Sequence, residues 1–311
     1  MSTLKLVVTG IDDTIDGIRT LTLTHPDGAV LPSFTPGSHI VVECGGPANA
    51  YSLTGDGISP TAYVISVLRC ETGSGGSRWI HDELTLGDTV VTRAPRSAFA
   101  PVLRARRHLL VAAGIGITPM VSHLRGARLW GREVRLLYIH RAARPAYVDE
   151  VRALTEHASI HTRRGEFTAE LTAALADQPF GTHLYICGPA VFIDEVVAAA
   201  TGLGWPGSRI HLEHFGSAAL DPGEPFTVRI ASTAAEFTVD AGVSLLEALE
   251  SRGFDLPNLC RQGVCGECRI QVAGGAVLHR DLYLSDDEKQ EGGAMMACVS
   301  RAQNDTLELG L

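Results

Sequence analysis

Cys260, Cys265 and Cys268 stand in the spacing C-x4-C-x2-C, and Cys298 follows with 29 residues between it and Cys268. A chain that must bring three thiolates from one loop and a fourth from a distant segment to one place has to build a compact domain around that loop. The spacing is that of the four thiolate ligands of a [2Fe–2S] cluster. Gly263 and Gly266 suit such a loop, because glycine accepts positive φ and lets backbone N–H groups approach the sulfides. Zinc sites usually pair separate C-x2-4-C units, whereas here the third cysteine follows directly in the same run. The remaining cysteines are Cys44, Cys70 and Cys187, giving an odd total of seven. An odd count, with no apolar leader in the opening MSTLKLVVTGIDD, argues against a disulfide framework and for a cytoplasmic location. Cys44 and Cys70 lie in strand-like surroundings and are expected to be small core residues.

The cluster loop falls near one end of a 311-residue chain, long enough for two or three domains. Runs such as Leu4–Val8, Ile18–Thr24, His39–Cys44 and Tyr63–Arg69, parted by Gly, Pro and Asp, read as strands of a small antiparallel barrel over 1–101. From about residue 102 the pattern changes to buried strands at 108–113, 134–140 and 183–189 with helical stretches between them. That alternation implies a doubly wound α/β domain with a parallel sheet over 102–223. The stretch 216–225, GSAALDPGEP, reads as an interdomain linker. Beyond it FTVRI and EFTVD suggest a hairpin and SLLEALESRG a helix ending at Gly253, opening a third domain over 224–311.

The segment Val111-Ala-Ala-Gly114-Ile-Gly116-Ile-Thr118-Pro119 follows one of the buried strands and opens a helix. Two glycines let the backbone approach a pyrophosphate, and the helix start offers free N–H donors. The third glycine of the dinucleotide fingerprint is absent, with Pro119 in a first helical turn that tolerates it. Tyr185-Ile-Cys187-Gly188-Pro189 repeats the strand-to-glycine-turn pattern. Both turns belong at the carboxyl edge of the sheet, where such folds bind ligands. Cys187 on that edge reads either as a neighbour of a nicotinamide or as a buried structural thiol.

Taken in order, barrel, AGIGITPM, YICGP, linker and C-terminal cysteine motif resemble the phthalate dioxygenase reductase family, which includes the reductase subunits of vanillate demethylase-type oxygenases. The resemblance covers nearly the whole chain. It implies a flavin barrel, an NAD domain and an α+β ferredoxin domain of plant-type β-grasp fold, with FMN rather than FAD, NADH and a [2Fe–2S] cluster held by Cys260, Cys265, Cys268 and Cys298. Asn49-Ala-Tyr51-Ser52-Leu53 is similar to the family's flavin motif R-x-Y-S-L, in which the tyrosine packs on the isoalloxazine and the serine lies near its N5. Gly75-Gly76-Ser77 resembles the flavin-phosphate turn, and Pro95-Arg96-Ser97-Ala98-Phe99 a further flavin-domain segment. His211-Leu212-Glu213-His214-Phe215 is similar to the end of the NAD domain, which places Phe215 with Cys187 beside the nicotinamide. His279-Arg280-Asp281 and the CVSR of 298–301 match the ferredoxin half. The chain departs from the pattern at Asn49, where the family carries a phosphate-binding arginine; Arg78 stands beside the phosphate turn. Gly114, Gly116, Thr118, Gly188 and Pro189 are the residues expected to hold the dinucleotide.

A formal net charge of −9 argues against nucleic acid, and the most apolar stretch, 109–121, is too short and too rich in Gly and Pro to span a membrane. Residues 226–311 carry 13 acidic and 7 basic side chains, a surface suited to a basic patch on a partner. The family points to a Rieske-type non-haem iron oxygenase as that partner. A cytochrome P450 acceptor is the alternative within the same chemistry, and a non-catalytic electron-transfer subunit of a dehydrogenase the alternative outside it. The basic run His140-Arg141-Ala-Ala-Arg144 would suit a 2′-phosphate, but the resemblance favours NADH.

Overall fold

The computed structural model describes residues 3–46, 48–71, 75–97, 99–177, 179–215, 223–233, 235–258, 263, 266–281 and 283–311. The chain divides into two compact units, one of Met1–Gly204 with Leu212–Ser217 and one of Trp205–His211 with Ala218–Leu311.

The first unit opens with β1 (Thr3–Ile15), β2 (Ile18–Thr24), β3 (Ser38–Glu43), β4 (Ala48–Ser52), β5 (Ala62–Leu68), helix α1 (Gly76–Asp82), β6 (Thr89–Arg93) and β7 (Arg96–Ser97). The order is β4-β3-β6-β1-β2-β5, with β7 on β3 and antiparallel pairing. An antiparallel bridge from Leu53 to Ile65 joins the two ends, so the sheet closes into a barrel. Alternation decides what fills it: Leu21 and Leu23 of β2 and Ile40 and Val42 of β3 are buried, their neighbours less so. Cys44 joins this core, but Cys70 does not. It lies two residues beyond the end of β5, where the period-2 pattern no longer applies, and its side chain is exposed rather than packed.

The same unit continues with β8 (Arg107–Ala113), α2 (Ile117–Trp130), β9 (Glu133–Ile139), α3 (Val148–Leu154), β10 (Ala158–His161), α4 (Arg164–Ala176), β11 (Thr182–Gly188), α5 (Ala190–Gly202) and, from Leu212 on, β12 (Ile210–His214). The sheet order is β10-β9-β8-β11-β12, with parallel pairing at β10–β9, β9–β8 and β8–β11. Because β9 lies to one side of β8 and β11 to the other, the winding reverses between β8 and β11. That reversal opens a crevice at their carboxyl ends. A set of contacts fixes the barrel to this layer. Gly37, at φ 75°, has room for no side chain beside Phe99. Its N–H donates to Ser122 Oγ at 2.9 Å, while His123 Nε2 bonds the Phe99 carbonyl at 2.8 Å. Burial, with a smaller effect of His108, drives the His123 pKa down to about 3, so the ring is neutral and its Nε2–H donates to that carbonyl.

The second unit holds β13 (Phe226–Ile230), β14 (Glu236–Val239), α6 (Leu245–Glu250), β15 (Arg269–Gly274), β16 (Val277–Leu278), α7 (Asp286–Glu291), β17 (Ala294–Met296), β18 (Arg301–Ala302) and β19 (Thr306–Leu309). Its sheet runs β14-β13-β19-β15-β17, parallel between β13 and β19 and antiparallel elsewhere. The hairpin expected at 226–240 is present, and α6 stops three residues before Gly253, which takes φ 84°. Leu245, Leu246 and Leu249 of α6 pack with Val228, Ile230, Met295, Leu307 and Leu309, giving the β-grasp domain its own core. Ser244 and Ser285 each close a capping box at the start of α6 and α7. The acidic run 286–288 is the exposed first turn of α7, as its charge favours.

Candidate functional site

The crevice between β8 and β11 is lined by the two glycine turns. Gly114 takes φ 56°, a conformation that costs other residues free energy. A Cβ on Gly116 would overlap the Cys187 carbonyl and lie 2.7 Å from the Gly188 nitrogen. One on Gly188 would stand 3.0 Å from the Ala113 Cβ. The absence of side chains therefore lets the turns interlock. Thr118 is buried and its hydroxyl donates to the Ile115 carbonyl at 3.0 Å, so it holds the turn's shape. Pro189 is exposed at the start of α5.

Strand β4 brings the flavin motif to the same unit. Asn49 and Tyr51 share one face by alternation, and Ser52 points to the other. Ser52 Oγ donates to Glu213 Oε2 at 3.3 Å. Glu213 is buried, which pushes its carboxyl up to about 8 against a smaller opposing effect of the Ser52 hydroxyl. Burial also raises the Cys187 thiol well above its ordinary range, and the Glu213 charge adds to that rise. Ser52, Cys187 and Glu213 thus form one buried polar group at the barrel's edge of the crevice. Leu53 is wholly buried and its N–H donates to the Ser38 carbonyl at 2.8 Å, so it serves the barrel core. Phe215 is partly buried against the apolar cluster that contains Cys187. A cavity of about 290 Å³ lined by Ile15, Thr54, Arg125 and Tyr147 contains none of these residues.

The expected phosphate turn is described from Gly75 onward; Thr72, Gly73 and Ser74 lie outside the described residues. Gly75 has φ 90°. The Ser77 hydroxyl accepts from the Cys70 N–H at 3.1 Å, so it ties the turn to the end of β5. The Tyr51 hydroxyl is buried without a hydrogen bond of good geometry. Burial is the main reason its phenol is pushed far up, with Cys44 adding to the rise and the Asn49 side chain opposing it. A buried, unsatisfied phenol beside a glycine turn that needs positive φ fits a planar, phosphate-bearing cofactor. The paired glycine turns fit a pyrophosphate.

Within the second unit, Cys260 and Cys265 lie outside the described residues, while Cys268 and Cys298 are both buried. Arg269 pairs with Met296 across β15 and β17, and the Ala297 N–H donates to the Cys268 carbonyl at 3.1 Å. Cys298 is therefore one residue beyond the position facing Cys268. Gly263 and Gly266 take φ 73° and 83°. A Cβ on Gly263 would lie 2.6 Å from Val299, and one on Gly266 would overlap the Tyr283 ring. A soft thiolate donor set on a glycine-wrapped loop fits an iron–sulfur cluster. Among the described residues no group of three metal-binding side chains occurs, and no helix is long and apolar enough to cross a membrane.

Sequence reasoning named Glu213 only as part of a segment and gave it no role. The available signal was an acidic residue two positions before an aromatic at the end of an apolar strand.

Residues 89–210 match the family described as dimethylamine monooxygenase subunit DmmA-like, N-terminal domain, and residues 228–303 the 2Fe-2S iron-sulfur cluster binding domain. The chain is 38% identical over 285 residues to the heme-dependent oxidative N-demethylase beta subunit of Ectopseudomonas mendocina, covering 91% of each. It is 36% identical over 317 residues to phthalate dioxygenase reductase of Burkholderia cepacia, covering 99% of this chain and 97% of the other. A solved structure of phthalate dioxygenase reductase, described as modular for electron transfer from pyridine nucleotides to [2Fe-2S], matches with TM-score 0.64 and 34% identity over 100% of this chain and 98% of its own. Full-length CYP116B46 from Tepidiphilus thermophilus matches with TM-score 0.75 and 33% identity over 99% of this chain but only 42% of its own.

Proposed function

The chain belongs to the phthalate dioxygenase reductase family, and from that premise we propose that it is the NADH-dependent reductase component of a Rieske-type oxygenase or demethylase system. The observation that carries this reading is the Ser52–Glu213 contact, which joins the flavin motif to the end of the nucleotide domain in a chain that also holds a [2Fe–2S] domain. Held by the barrel's flavin motif, FMN would supply the two-electron to one-electron conversion between NADH and the cluster.

The chain's own residues position and shield. The turn at Gly114–Gly116 and the one at Gly188, ahead of Pro189, would bring backbone N–H groups to the pyrophosphate. Tyr51 would lie along the isoalloxazine, and Phe215 with Cys187 would border the nicotinamide. Glu213 holds its proton on a carboxyl oxygen at neutral pH. Cys187 holds its own on Sγ, so this buried edge presents no net charge. Cys260, Cys265, Cys268 and Cys298 would hold the iron. The functional division follows 1–101 for flavin, 102–223 for NAD and 224–311 for the cluster. A cytoplasmic location suits free thiols and NADH.

A second reading, a haem-containing acceptor, is favoured by the similarity to the heme-dependent N-demethylase subunit and to the P450 chain. One experiment separates these. The full chain is mixed anaerobically with NADH, then with a Rieske-type oxygenase or a haem oxygenase. Rapid bleaching by NADH and reoxidation by the Rieske protein are expected. Reoxidation by the haem protein alone would move the assignment to the second reading, and failure to bleach would reject the reductase itself.

A further inference from the structure

The family's flavin strand begins with an arginine that meets the cofactor's phosphate, and here that position is Asn49, whose amide carries no charge. Its side chain is also engaged locally. Asn49 Nδ2 lies 2.8 Å from where a Cβ on Gly76 would sit, so the amide packs on the backbone at the head of α1. The same side chain bears on the Tyr51 phenol. Ser77, the hydroxyl of the phosphate turn, is bound to the Cys70 backbone at 3.1 Å. A phosphate at this turn would therefore meet no cation from the residues that the family motif supplies.

Arg78 fills that gap. Its guanidinium folds back over the turn, with Nη2 3.4 Å from the position of a Cβ on Gly75. Gly75 has φ 90° and no side chain to block the approach. Arg78 is exposed and, among the described residues, makes no ion pair, while the nearby Asp82 is bound by Arg69. A guanidinium offers paired N–H donors that match a phosphate's oxygens and keeps its charge at any working pH. The geometry points to Arg78 as the phosphate anchor of the bound flavin, in place of the arginine absent at position 49. This rests on the reading that the chain binds FMN.

The test compares FMN with riboflavin, which has the same ring and no phosphate. The full chain is stripped of flavin, and each ligand is titrated by quenching of its fluorescence. Arg78→Ala should weaken FMN binding by about 10- to 100-fold, the loss of a charge-assisted contact. It should leave riboflavin binding unchanged, and adding salt should shrink the difference between wild type and variant. Asn49→Arg in the Arg78→Ala background should restore FMN affinity, because it returns a guanidinium to the family's position. Unchanged FMN affinity in Arg78→Ala would overturn the assignment. So would an equal loss for both flavins, which would mean that Arg78 only shapes the turn. A wild-type chain that binds neither flavin would reject the flavin reading itself, and this inference with it.

Discussion

Glu213 is buried with one hydrogen bond, from Ser52, and its carboxyl is raised to about 8 from an ordinary 4.5. An acid whose pKa is raised by folding favours the folded state most when it is protonated in both states. Its contribution is fully present below about pH 4.5 and is lost as pH rises through about 8. Glu213→Gln keeps the shape and cannot ionise. The variant should lose less melting temperature than wild type between pH 5 and 9, when thermal unfolding of the full chain is followed by far-UV circular dichroism. Parallel pH profiles for the two proteins would show that the carboxyl is not buried in solution. Residues differ in how far the sequence exposes them. Tyr51 and Ser52 stand next to each other in a recognisable motif, so their proximity needs no fold. Glu213 meets Ser52 across 161 positions, and only the closing of the barrel against the parallel sheet makes that contact.

At the scale of elements, legibility followed length. Strands β8, β9 and β11 are seven-residue apolar runs, and a strand buried on both faces is hard to miss. The two-residue strands β16 and β18 have no period to detect. β18 opens with Arg301, which the sequence shows only as the end of a CVSR run. Its guanidinium is buried and donates to the carbonyls of Val243 at 2.7 Å, Glu224 at 3.0 Å and Asp240 at 3.1 Å. It also lies 4.9 Å from the centroid of the Phe226 ring. One side chain thus ties Glu224 and Phe226, where the linker meets β13, to the loop before α6. Arg301→Met fills similar space but leaves those carbonyls without this donor. It should destabilise the second unit by about 3 kcal/mol, read as a lower urea midpoint for loss of the cluster's visible absorption. A midpoint within error of wild type would mean that water replaces the guanidinium at little cost.

At the scale of the whole molecule, among the described residues the core of the cluster-bearing unit contains no residue of the barrel or parallel-sheet cores. The flavin and nucleotide residues should therefore fold and work without the cluster. Cys298→Ser should keep NADH oxidation with ferricyanide, which accepts electrons directly from flavin. It should lose most delivery to the oxygenase and the visible absorption of the cluster. An oxygenase driven at the native rate by this variant would remove the cluster from the path. The three-part organisation was legible because each part carries its own local mark: alternating strands, two glycine turns and four clustered cysteines. The compact division was not, because the barrel and the parallel sheet form one unit through contacts such as Gly37 with Ser122, which leave no trace in composition. The division between Ser217 and Ala218 also has a hereditary meaning. A gene broken there and rejoined to another would interrupt none of the hydrophobic cores of the described residues, although Trp205–His211, which count with the second unit, would stay with the first. The similarity of 99% of this chain to 42% of a longer P450 chain spans both units, so there the two are kept together as one piece.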